Sequence, residues 1–489
     1  MLSGVDAEIL GDPSAEIGDL AHDSRKVGRG TLLFCVPGER SDGHDHAQAA
    51  VAAGAAGLVV ERRLGLGVPE ALVADARRAM PVAAARINGD PSATLPVAGI
   101  TGTNGKTTTA FLVRHLLEAT GTQTGLLGTV KSVVGGVEAG VERTTPEAIE
   151  LQATLRAMLD GADKACAIEV SSHALRLGRT HGIHFAVAVF TNLTQDHLDF
   201  HSDMEDYYLA KAMLFGQGSE HRPEHAVVNL DDPYGRRLVD EISAAMGERL
   251  ITFSAAGDSR ATIRALDATF DAAGSRFNIE GSFGSHAVTT GLPGHFNVEN
   301  SLAALGTVIA LGTDPAAAAI ALAHAGRIPG RLEPIAEGQG FAVLVDYAHT
   351  PDSLENVLAA ARRLTEGRLI CVFGCGGDRD RAKRPLMGAI AARLADVPIV
   401  TSDNPRSEDP QAILDEIVGG MPERPETEVQ VDRREAIARA VGLAAPGDTV
   451  VIAGKGHEQG QEFENGRKLP FDDRDVARAE LARLTGRAA

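Results

Sequence analysis

Tryptophan is absent from the 489-residue sequence, and aromatic residues make up only 4% of it. Positive charge is also in short supply, because 47 lysines and arginines face 66 aspartates and glutamates, which gives a formal net charge of −19. Binding of a nucleic-acid backbone needs a basic surface, and binding of single strands needs aromatic rings on which bases stack. The composition therefore argues against a nucleic-acid partner, although a few local arginines and lysines can still make a cleft attractive to a small anion.

Cysteines and long apolar runs are few as well. The four cysteines do not form the disulfide framework that is typical of small secreted domains, and Cys371 and Cys375 read as buried or loop thiols rather than metal ligands. No apolar run approaches the roughly 20 residues that span a bilayer. The first ten residues, which include Asp6 and Glu8, lack the pattern of a signal peptide. We therefore expect a cytoplasmic protein without membrane insertion.

The length and the alternation of apolar segments predict an α/β protein of three domains. Residues 1–95 mix short apolar segments with Gly- and Asp-rich turns and read as a small α/β domain. Residues 96–328 alternate strands with helix-compatible stretches, which favours a mainly parallel sheet, and Asp314 is predicted to cap a helix that begins at Pro315. The same alternation over residues 329–489 predicts a second doubly wound domain.

A glycine-rich loop, GITGTNGKTT (residues 99–108), lies between a predicted strand and a helix predicted from about Lys106 to Ala119. Glycines let a backbone wrap around phosphates, and the helix N-terminus favours their negative charge. Lys106 can reach the outer phosphates, and the Thr107 hydroxyl can bind Mg²⁺. The strict phosphate-loop pattern is not met, because Ile100 occupies its first glycine position, but the order of elements predicts an ATP-hydrolysing enzyme.

Acidic and histidine side chains follow the next predicted strands. Glu169 closes an apolar segment, and a carboxylate at the carboxyl end of a parallel strand is well placed to hold the metal of ATP. His197 clusters with Asp199 and His201 after another strand, which suggests a metal or the edge of a substrate site. A lysine on a helix, such as Lys211, would ordinarily be a solvated surface residue.

Six ordered motifs resemble those of the Mur ligases, the ATP-dependent amide-forming enzymes of peptidoglycan synthesis. The resemblance spans essentially the whole chain and implies a UDP-binding N-terminal domain, a central ATPase domain and a Rossmann-like C-terminal domain that binds an amino acid. It also suggests a monomer. The motifs are the glycine-rich loop, EVSSHAL (169–175), TNLTQDHLDFH (191–201), GHFNVEN (294–300), RIPGRLE (327–333) and DYAHTP (346–351).

This resemblance assigns roles to individual residues. It implies that Lys106, Glu169, His197 and Lys211 are catalytic, and that Lys211 is carbamylated. A carbamate turns a cation into a carboxylate-like ligand, so Lys211 would hold Mg²⁺ together with Thr107, Glu169 and His197. The implied ATP-binding residues are Gly102, Thr103, Asn104, Gly105, Lys106, Thr107, Thr108, Asn297, Asn300, Arg331, Asp346 and His349.

The amino acid to be added is indicated by DNPR (residues 403–406). An arginine in a loop after a strand offers a planar fork for bidentate binding of a carboxylate. Within the family this motif resembles the signature of members that add meso-diaminopimelate, whose far end bears a carboxylate that lysine lacks. Glu458 would accept the far ammonium group. The implied contacts are Arg379, Asp403, Asn404, Pro405, Arg406, Gly454 and Glu458.

The other substrate implied by the resemblance is UDP-N-acetylmuramoyl-L-alanyl-D-glutamate. ATP would convert its carboxylate into an acyl phosphate, which the amine then attacks. Residues 38–41 lie where the family holds the uridine diphosphate, and Leu177 stands where related enzymes often carry glutamine. The remaining implied contacts are Ser24, Thr144, Thr145, Ser171 and Arg179.

Three alternative functions remain open. A homologue that adds L-lysine would share most of the motifs. A folylpolyglutamate synthase would share the loop and the two later domains, but it would lack the N-terminal domain. A non-catalytic nucleotide-binding regulator would keep the loop but would not need Glu169, His197 and Lys211 together.

Overall fold

The computed structural model describes residues 2, 4–38, 41–141, 143–216, 222–271, 274–422 and 427–486. The chain forms two compact units. The first comprises Met1–Thr101, Gly121–Ala188 and Ala210–Glu224, and the second comprises Gly102–Thr120, Val189–Leu209 and His225–Ala489. This division does not test the predicted domain limits, which remain predictions. Across the described residues, no helix is both long and apolar enough to cross a membrane.

The strands are β1 (Ala7–Leu10), β2 (Asp19–Ala21), β3 (Thr31–Phe34), β4 (Gly57–Val60), β5 (Glu70–Val73), β6 (Val97–Thr101), β7 (Thr124–Leu127), β8 (Ser132–Val134), β9 (Val137–Ala139), β10 (Ala165–Glu169), β11 (Phe185–Phe190), β12 (His225–Asn229), β13 (Leu250–Ser254), β14 (Ile263–Asp271), β15 (Gly274–Gly281), β16 (Gly284–Thr290), β17 (Glu333–Pro334), β18 (Ala342–Asp346), β19 (Leu369–Phe373), β20 (Val397–Thr401), β21 (Glu428–Gln430), β22 (Thr449–Ala453), β23 (Gln461–Glu462) and β24 (Lys468–Leu469). The helices are α1 (Ala47–Ala52), α2 (Ala76–Ile87), α3 (Lys106–Ala119), α4 (Ala148–Asp160), α5 (Ser172–Arg176), α6 (Met204–Ala212), α7 (Pro233–Met246), α8 (His295–Ala310), α9 (Pro315–Leu322), α10 (Pro351–Leu364), α11 (Lys383–Leu394), α12 (Pro410–Val418), α13 (Arg433–Leu443) and α14 (Asp473–Leu484).

The first unit begins with a five-stranded sheet in the order β1-β5-β4-β3-β2. Strands β2 to β5 pair in parallel, and β1 joins the edge in antiparallel orientation. Every residue of β3 and β4 is buried, as expected when helices cover both faces of a parallel sheet. Helix α2 packs on one face through Ala79 and Met80, and α1 packs on the other through Ala47.

The same unit holds the strand that presents Glu169. Strand β10 pairs in parallel with β6 and with β7, so that Glu169 lies opposite Ile100 and Ile168 lies opposite Leu127. All five residues of β10 are buried. Glu169 therefore ends a buried central strand at the carboxyl edge of this sheet, where the sequence places it.

The second unit contains β12, β13 and β14 in parallel pairing, followed by the antiparallel strands β15 and β16. Helix α3 packs against the largely buried helix α8. Asp314 caps α9 by accepting the Ala317 N–H at 2.9 Å, and Pro315 is the first helical residue, so this prediction is confirmed.

A second sheet in this unit has the order β17-β18-β22-β19-β20-β21, with parallel pairing from β18 to β21 and antiparallel β17 at the edge. Helices α10, α11 and α12 cover one face, and α13 and α14 cover the other. This is the doubly wound arrangement that the sequence predicts. The predicted α/β class with mainly parallel sheets is confirmed.

Candidate active site

The glycine-rich loop joins β6 to α3, which begins at Lys106 as predicted. Gly105 has a φ of 87°, and a Cβ placed there would lie 2.3 Å from Asn300 Oδ1. A Cβ on Gly102 would lie 1.8 Å from Thr191 Oγ1. Both positions therefore require glycine, because neighbouring side chains of the same unit approach the loop backbone too closely for any other residue.

Two side chains at the start of α3, Lys106 and Thr107, are those predicted to act on phosphate and metal. The Lys106 ammonium donates to the carbonyls of Gly102 and Thr103, at 2.8 Å each, and so lies over the loop. Thr107 is buried, and its Oγ1 accepts from Arg331 Nη2 at 3.0 Å. Arg331 thus connects the segment after α9 to the loop, and its contact with ATP stays a prediction.

The predicted amide groups around the loop make two separate sets of hydrogen bonds. Asn300 accepts from Thr109 Oγ1 at 3.5 Å and donates to Asn297 Oδ1 at 3.2 Å. Asn104 donates to Asp352 Oδ2 at 2.8 Å, while Thr103 and Thr108 are buried. Asp352, at the first turn of α10, is an additional residue that the motifs did not single out.

Asp346 lies at the end of β18. Its two oxygens accept the Leu332 N–H at 2.6 Å and the Ala348 N–H at 2.7 Å. Burial raises the pKa of this carboxyl, although Arg331 and the two backbone donors act in the opposite direction. Asp346 therefore fixes the backbone directly after Arg331 and directly before His349.

A buried carboxylate, Asp196, brings two histidines and a lysine of the second unit together. Its oxygens lie 3.4 Å from His197 Nε2, 3.8 Å from His349 Nε2 and 3.8 Å from Lys383 Nζ. Burial alone would raise the pKa of Asp196, but His197, Lys383 and His349 outweigh burial and hold it below its ordinary value. His197 has a φ of 56°, an unusual backbone for a residue other than glycine.

The sequence reasoning missed Asp196 and Lys383. Asp196 could have been found from its position directly before His197. Lys383 begins α11, far along the chain, and carried no local signal. His349 was predicted, and burial, followed by the charge of Lys383, lowers the pKa of its imidazole.

In the first unit, Glu169 is held by Thr129, the second residue after the end of β7. Its Oε1 accepts the Thr129 N–H at 2.8 Å, and its Oε2 accepts the Thr129 hydroxyl at 3.0 Å. A Cβ at Gly128 would lie 2.2 Å from Oε1, so the glycine leaves room for the carboxylate. Lys211, on α6, is only 1% exposed. The ordinary expectation of a solvated surface lysine is therefore wrong.

Four of the five residues predicted to contact the UDP-sugar dipeptide surround the same strand end. Thr145 donates to the Glu169 carbonyl at 2.8 Å and accepts the Ser171 N–H at 3.1 Å. Arg179 donates to the Thr145 carbonyl at 3.2 Å. Thr144 lies 3.0 Å from Thr129, measured between the hydroxyl oxygens.

The fifth residue, Ser24, lies in another loop of this unit. It begins a 3-10 turn capped by Asp23, and Lys26 of that turn pairs with Glu150 of α4 at 3.0 Å. In the predicted diphosphate loop, Glu39 and Arg40 lie outside the described residues. Leu177 is the C-cap residue directly after the short helix α5.

Six of the seven residues predicted to bind the amino acid lie in the loops that follow β20 and β22. Asn404 donates to Glu458 Oε2 at 2.9 Å, and its Oδ1 accepts from Lys455 Nζ at 2.8 Å. The Arg406 Nε donates to Glu462 Oε2 at 3.0 Å, and its Nη1 donates to the Gly377 carbonyl at 2.7 Å.

Two residues of this amino-acid group, Arg406 and Gly454, have backbones with positive φ. Arg406 has a φ of 51°, so its backbone is left-handed as at His197. Gly454 has a φ of 120°, and a Cβ there would lie 2.5 Å from Asp403 Oδ2. Pro405 precedes Arg406 and is buried with Asp403 and Asn404. The DNPR segment therefore packs against the loop that follows β22.

Arg379 does not join this group directly. It is exposed and donates to the Asp378 carbonyl at 2.9 Å. Within the described part of the chain, no hydrogen bond connects it to Arg406 or Glu458. Its predicted contact with the amino acid therefore remains a prediction without a local contact behind it.

Two fully buried cations near this group were missed. Lys455 pairs with Glu458 at 2.9 Å, and it could have been found from its position directly after Gly454, which was predicted to contact the amino acid. Arg433 pairs with Asp473 at 2.7 Å and donates to the Ala453 carbonyl at 2.9 Å. Breaking a buried ion pair from one side typically costs about 3–5 kcal/mol. The Arg433–Asp473 pair therefore anchors the end of β22 before Gly454.

Three family models match successive parts of the chain: the Mur ligase family catalytic domain at residues 16–91, the Mur ligase middle domain at 100–308, and the Mur ligase glutamate ligase domain at 330–456.

Individual proteins match over nearly the full length. The UDP-N-acetylmuramoyl-L-alanyl-D-glutamate--2,6-diaminopimelate ligase of Geobacillus kaustophilus is 47% identical over 467 residues, which are 94% of each chain. The ligase of the same name from Streptomyces coelicolor is 47% identical over 486 residues, covering 97% of this chain and 94% of that one. A solved structure of a ligase of this name has a TM-score of 0.68 at 35% identity, covering 96% of this chain and 95% of its own. With such identity over almost all of its length, the chain belongs to the Mur ligase family.

Proposed function

We propose that this protein is an ATP-dependent ligase that adds meso-diaminopimelate to UDP-N-acetylmuramoyl-L-alanyl-D-glutamate in the synthesis of peptidoglycan precursors. The observation that carries the proposal is the group after β20 and β22. Arg406 offers a guanidinium for a carboxylate, and Glu458 offers a carboxylate for an ammonium. The far end of diaminopimelate bears both groups. The names of relatives at 47% identity support the same reaction.

ATP is assigned to the loop between β6 and α3. Its backbone N–H groups and the helix N-terminus favour phosphate, and the Lys106 ammonium over the loop adds positive charge. Asn297, Asn300, Arg331, Asp346 and His349 are assigned to the rest of the nucleotide.

Mg²⁺ is assigned as the metal of ATP. Oxygen ligands suit this ion, and the Thr107 hydroxyl and the Glu169 carboxylate are oxygen donors, as a carbamate on Lys211 would be. His197 completes the assigned set with an imidazole. When bound, Mg²⁺ neutralises charge on the transferring phosphoryl group.

The reaction couples the breakdown of ATP to an amide bond. A carboxylate oxygen of the dipeptide attacks the γ-phosphorus, and the bond from that phosphorus to ADP breaks, giving an acyl phosphate. The amine of diaminopimelate then attacks the acyl carbon and loses a proton, and the tetrahedral intermediate expels phosphate. Lys106 stabilises the phosphoryl group in transfer, while Arg406 and Glu458 orient the incoming amine.

Several general properties belong to the same proposal. The domain limits are 1–95 for UDP-sugar binding, 96–328 for ATP and 329–489 for the amino acid. The protein works as a monomer in the cytoplasm. Closure of the domains would bring the three substrates together before chemistry.

The function is tested by phosphate release with ATP, Mg²⁺ and the UDP-muramoyl dipeptide. We expect release with meso-diaminopimelate and little release without an amino acid. Release with L-lysine alone would identify the lysine-adding alternative. Turnover of a folate acceptor would identify a folylpolyglutamate synthase, and ATP binding without release under any acceptor would favour a regulator.

A further inference from the structure

Glu147 is buried at the start of α4 among three arginines. Its Oε1 accepts from Arg143 Nη1 at 2.6 Å and from Arg179 Nη2 at 2.8 Å, while its Oε2 lies 3.7 Å from Arg77 Nη1. The residue occupies the N-cap position of α4 but makes no side-chain capping hydrogen bond. Its carboxylate therefore serves the arginines rather than the helix end.

The orientation of Arg179 depends on this carboxylate. Its Nη1 donates to the Thr145 carbonyl at 3.2 Å, its Nη2 pairs with Glu147, and its side chain is only 14% exposed. Burial lowers the pKa of Arg179, and the charge of Glu147 opposes this effect. An arginine side chain stays charged even when it is largely buried, so Arg179 needs Glu147 as its counter-charge.

The Arg179 guanidinium also has capacity left for a ligand. Its Nε is buried and has no hydrogen-bond partner among the residues that the structure describes. Arg179 and Arg77, the two less exposed arginines around Glu147, together carry more positive charge than this one carboxylate balances. Such a site favours an anion, and a guanidinium fixed on one side is suited to bind a carboxylate with its remaining donors.

We propose that Glu147 is a positioning residue that holds the Arg179 guanidinium in the orientation that binds a carboxylate of the dipeptide substrate. This inference rests on the proposed function, which places Arg179 among the substrate contacts. Thr145 strengthens the arrangement, because its carbonyl binds Arg179 while its hydroxyl donates to the Glu169 carbonyl. The orientation of Arg179 is therefore tied to the end of β10.

The test is steady-state kinetics of Glu147→Gln with each substrate varied in turn. We expect the KM for the UDP-muramoyl dipeptide to rise about tenfold, with kcat within about threefold and the KM values for ATP and diaminopimelate unchanged. Arg143→Gln is the matched control. It removes the other partner of the same Glu147 oxygen, from a side chain that is 54% exposed, and should change the dipeptide KM less than about twofold.

A double-mutant cycle with Arg179→Gln separates positioning from a general structural role. If Glu147 acts through Arg179, adding Glu147→Gln to Arg179→Gln should change the KM little, whereas independent effects would multiply. Glu147→Asp keeps the negative charge but shortens the side chain. We expect it to raise only the dipeptide KM, and by less than Glu147→Gln does. This variant replaces Glu147→Gln in the test if Glu147→Gln fails to fold. Equal rises in all three KM values, or multiplying effects, would overturn the inference.

The failure of this inference is distinguishable from failure of the proposed function. Wild-type enzyme that releases no phosphate with the dipeptide and diaminopimelate would remove the proposed function itself. Wild-type activity combined with an unchanged dipeptide KM in folded Glu147→Gln would remove only the positioning role.

Discussion

Lys211→Ala should lower kcat at least about a hundredfold, and short carboxylates such as formate or acetate should restore part of the activity. The reason is chemical. A carbamate on Lys211 would supply a carboxylate-like oxygen, which alanine lacks and which a small carboxylate can replace. The structure adds a physical argument, because Lys211 is only 1% exposed and is therefore not a solvated surface lysine.

Lys164→Ala is the control for this prediction, since Lys164 is an exposed lysine of the same unit. It should leave kcat unchanged and should not respond to added carboxylate. A complementary measurement is ¹³C NMR after exposure to labelled bicarbonate, where a carbamate signal should appear in wild type and disappear in Lys211→Ala. Full activity of Lys211→Ala without added carboxylate would contradict the assignment.

Arg406→Lys should raise the KM for diaminopimelate about a hundredfold while changing the KM for ATP less than about twofold. Arg406 uses Nε for Glu462 and Nη1 for the Gly377 carbonyl. Among the described residues, its Nη2 makes no hydrogen bond. A lysine ammonium cannot keep both contacts and still present a planar pair of donors to a carboxylate.

Arg381→Lys is the matched control for Arg406. Arg381 lies in the neighbouring loop, pairs with Glu416 and is 66% exposed, so the same chemical change there should leave both KM values nearly unchanged. Substrate-varied phosphate release measures all of them. Equal losses for ATP and diaminopimelate in Arg406→Lys would show that Arg406 supports the fold rather than the selection of the amino acid.

Local signals predicted the elements that carry the phosphate loop and Glu169. Helix α3 runs from Lys106 to Ala119 as expected, because a strand, a glycine loop and an amphipathic segment are all legible over a short stretch of chain. Strand β10 was found from its apolar residues, and Glu169 from its position at their end.

Long-range features could not be found in the same way. The burial of Lys211 contradicts the ordinary behaviour of a helical lysine, and only the resemblance to a family singled the residue out. The contact between Asp196 and Lys383 joins residues that are far apart in sequence. The left-handed backbone of His197 and Arg406 is likewise invisible in residue types, since side chains of this kind rarely adopt it.

The antiparallel strands β14 to β16 were also missed. Burial alternates along β14 and β15, which is the period-two pattern of a half-exposed sheet. A continuous apolar run indicates a strand that is covered on both faces, and half-exposed strands do not contain such a run. The sequence signal of these strands is therefore the alternation of buried and exposed residues rather than their apolar content.

The central claim is that this ligase selects diaminopimelate. Its most direct test supplies equimolar meso-diaminopimelate and L-lysine with ATP, Mg²⁺ and the UDP-muramoyl dipeptide, and weighs the products by mass spectrometry. We predict that nearly all of the product carries diaminopimelate, because only this amino acid offers a carboxylate to Arg406 and an ammonium to Glu458. A product that carries mainly lysine would contradict the account.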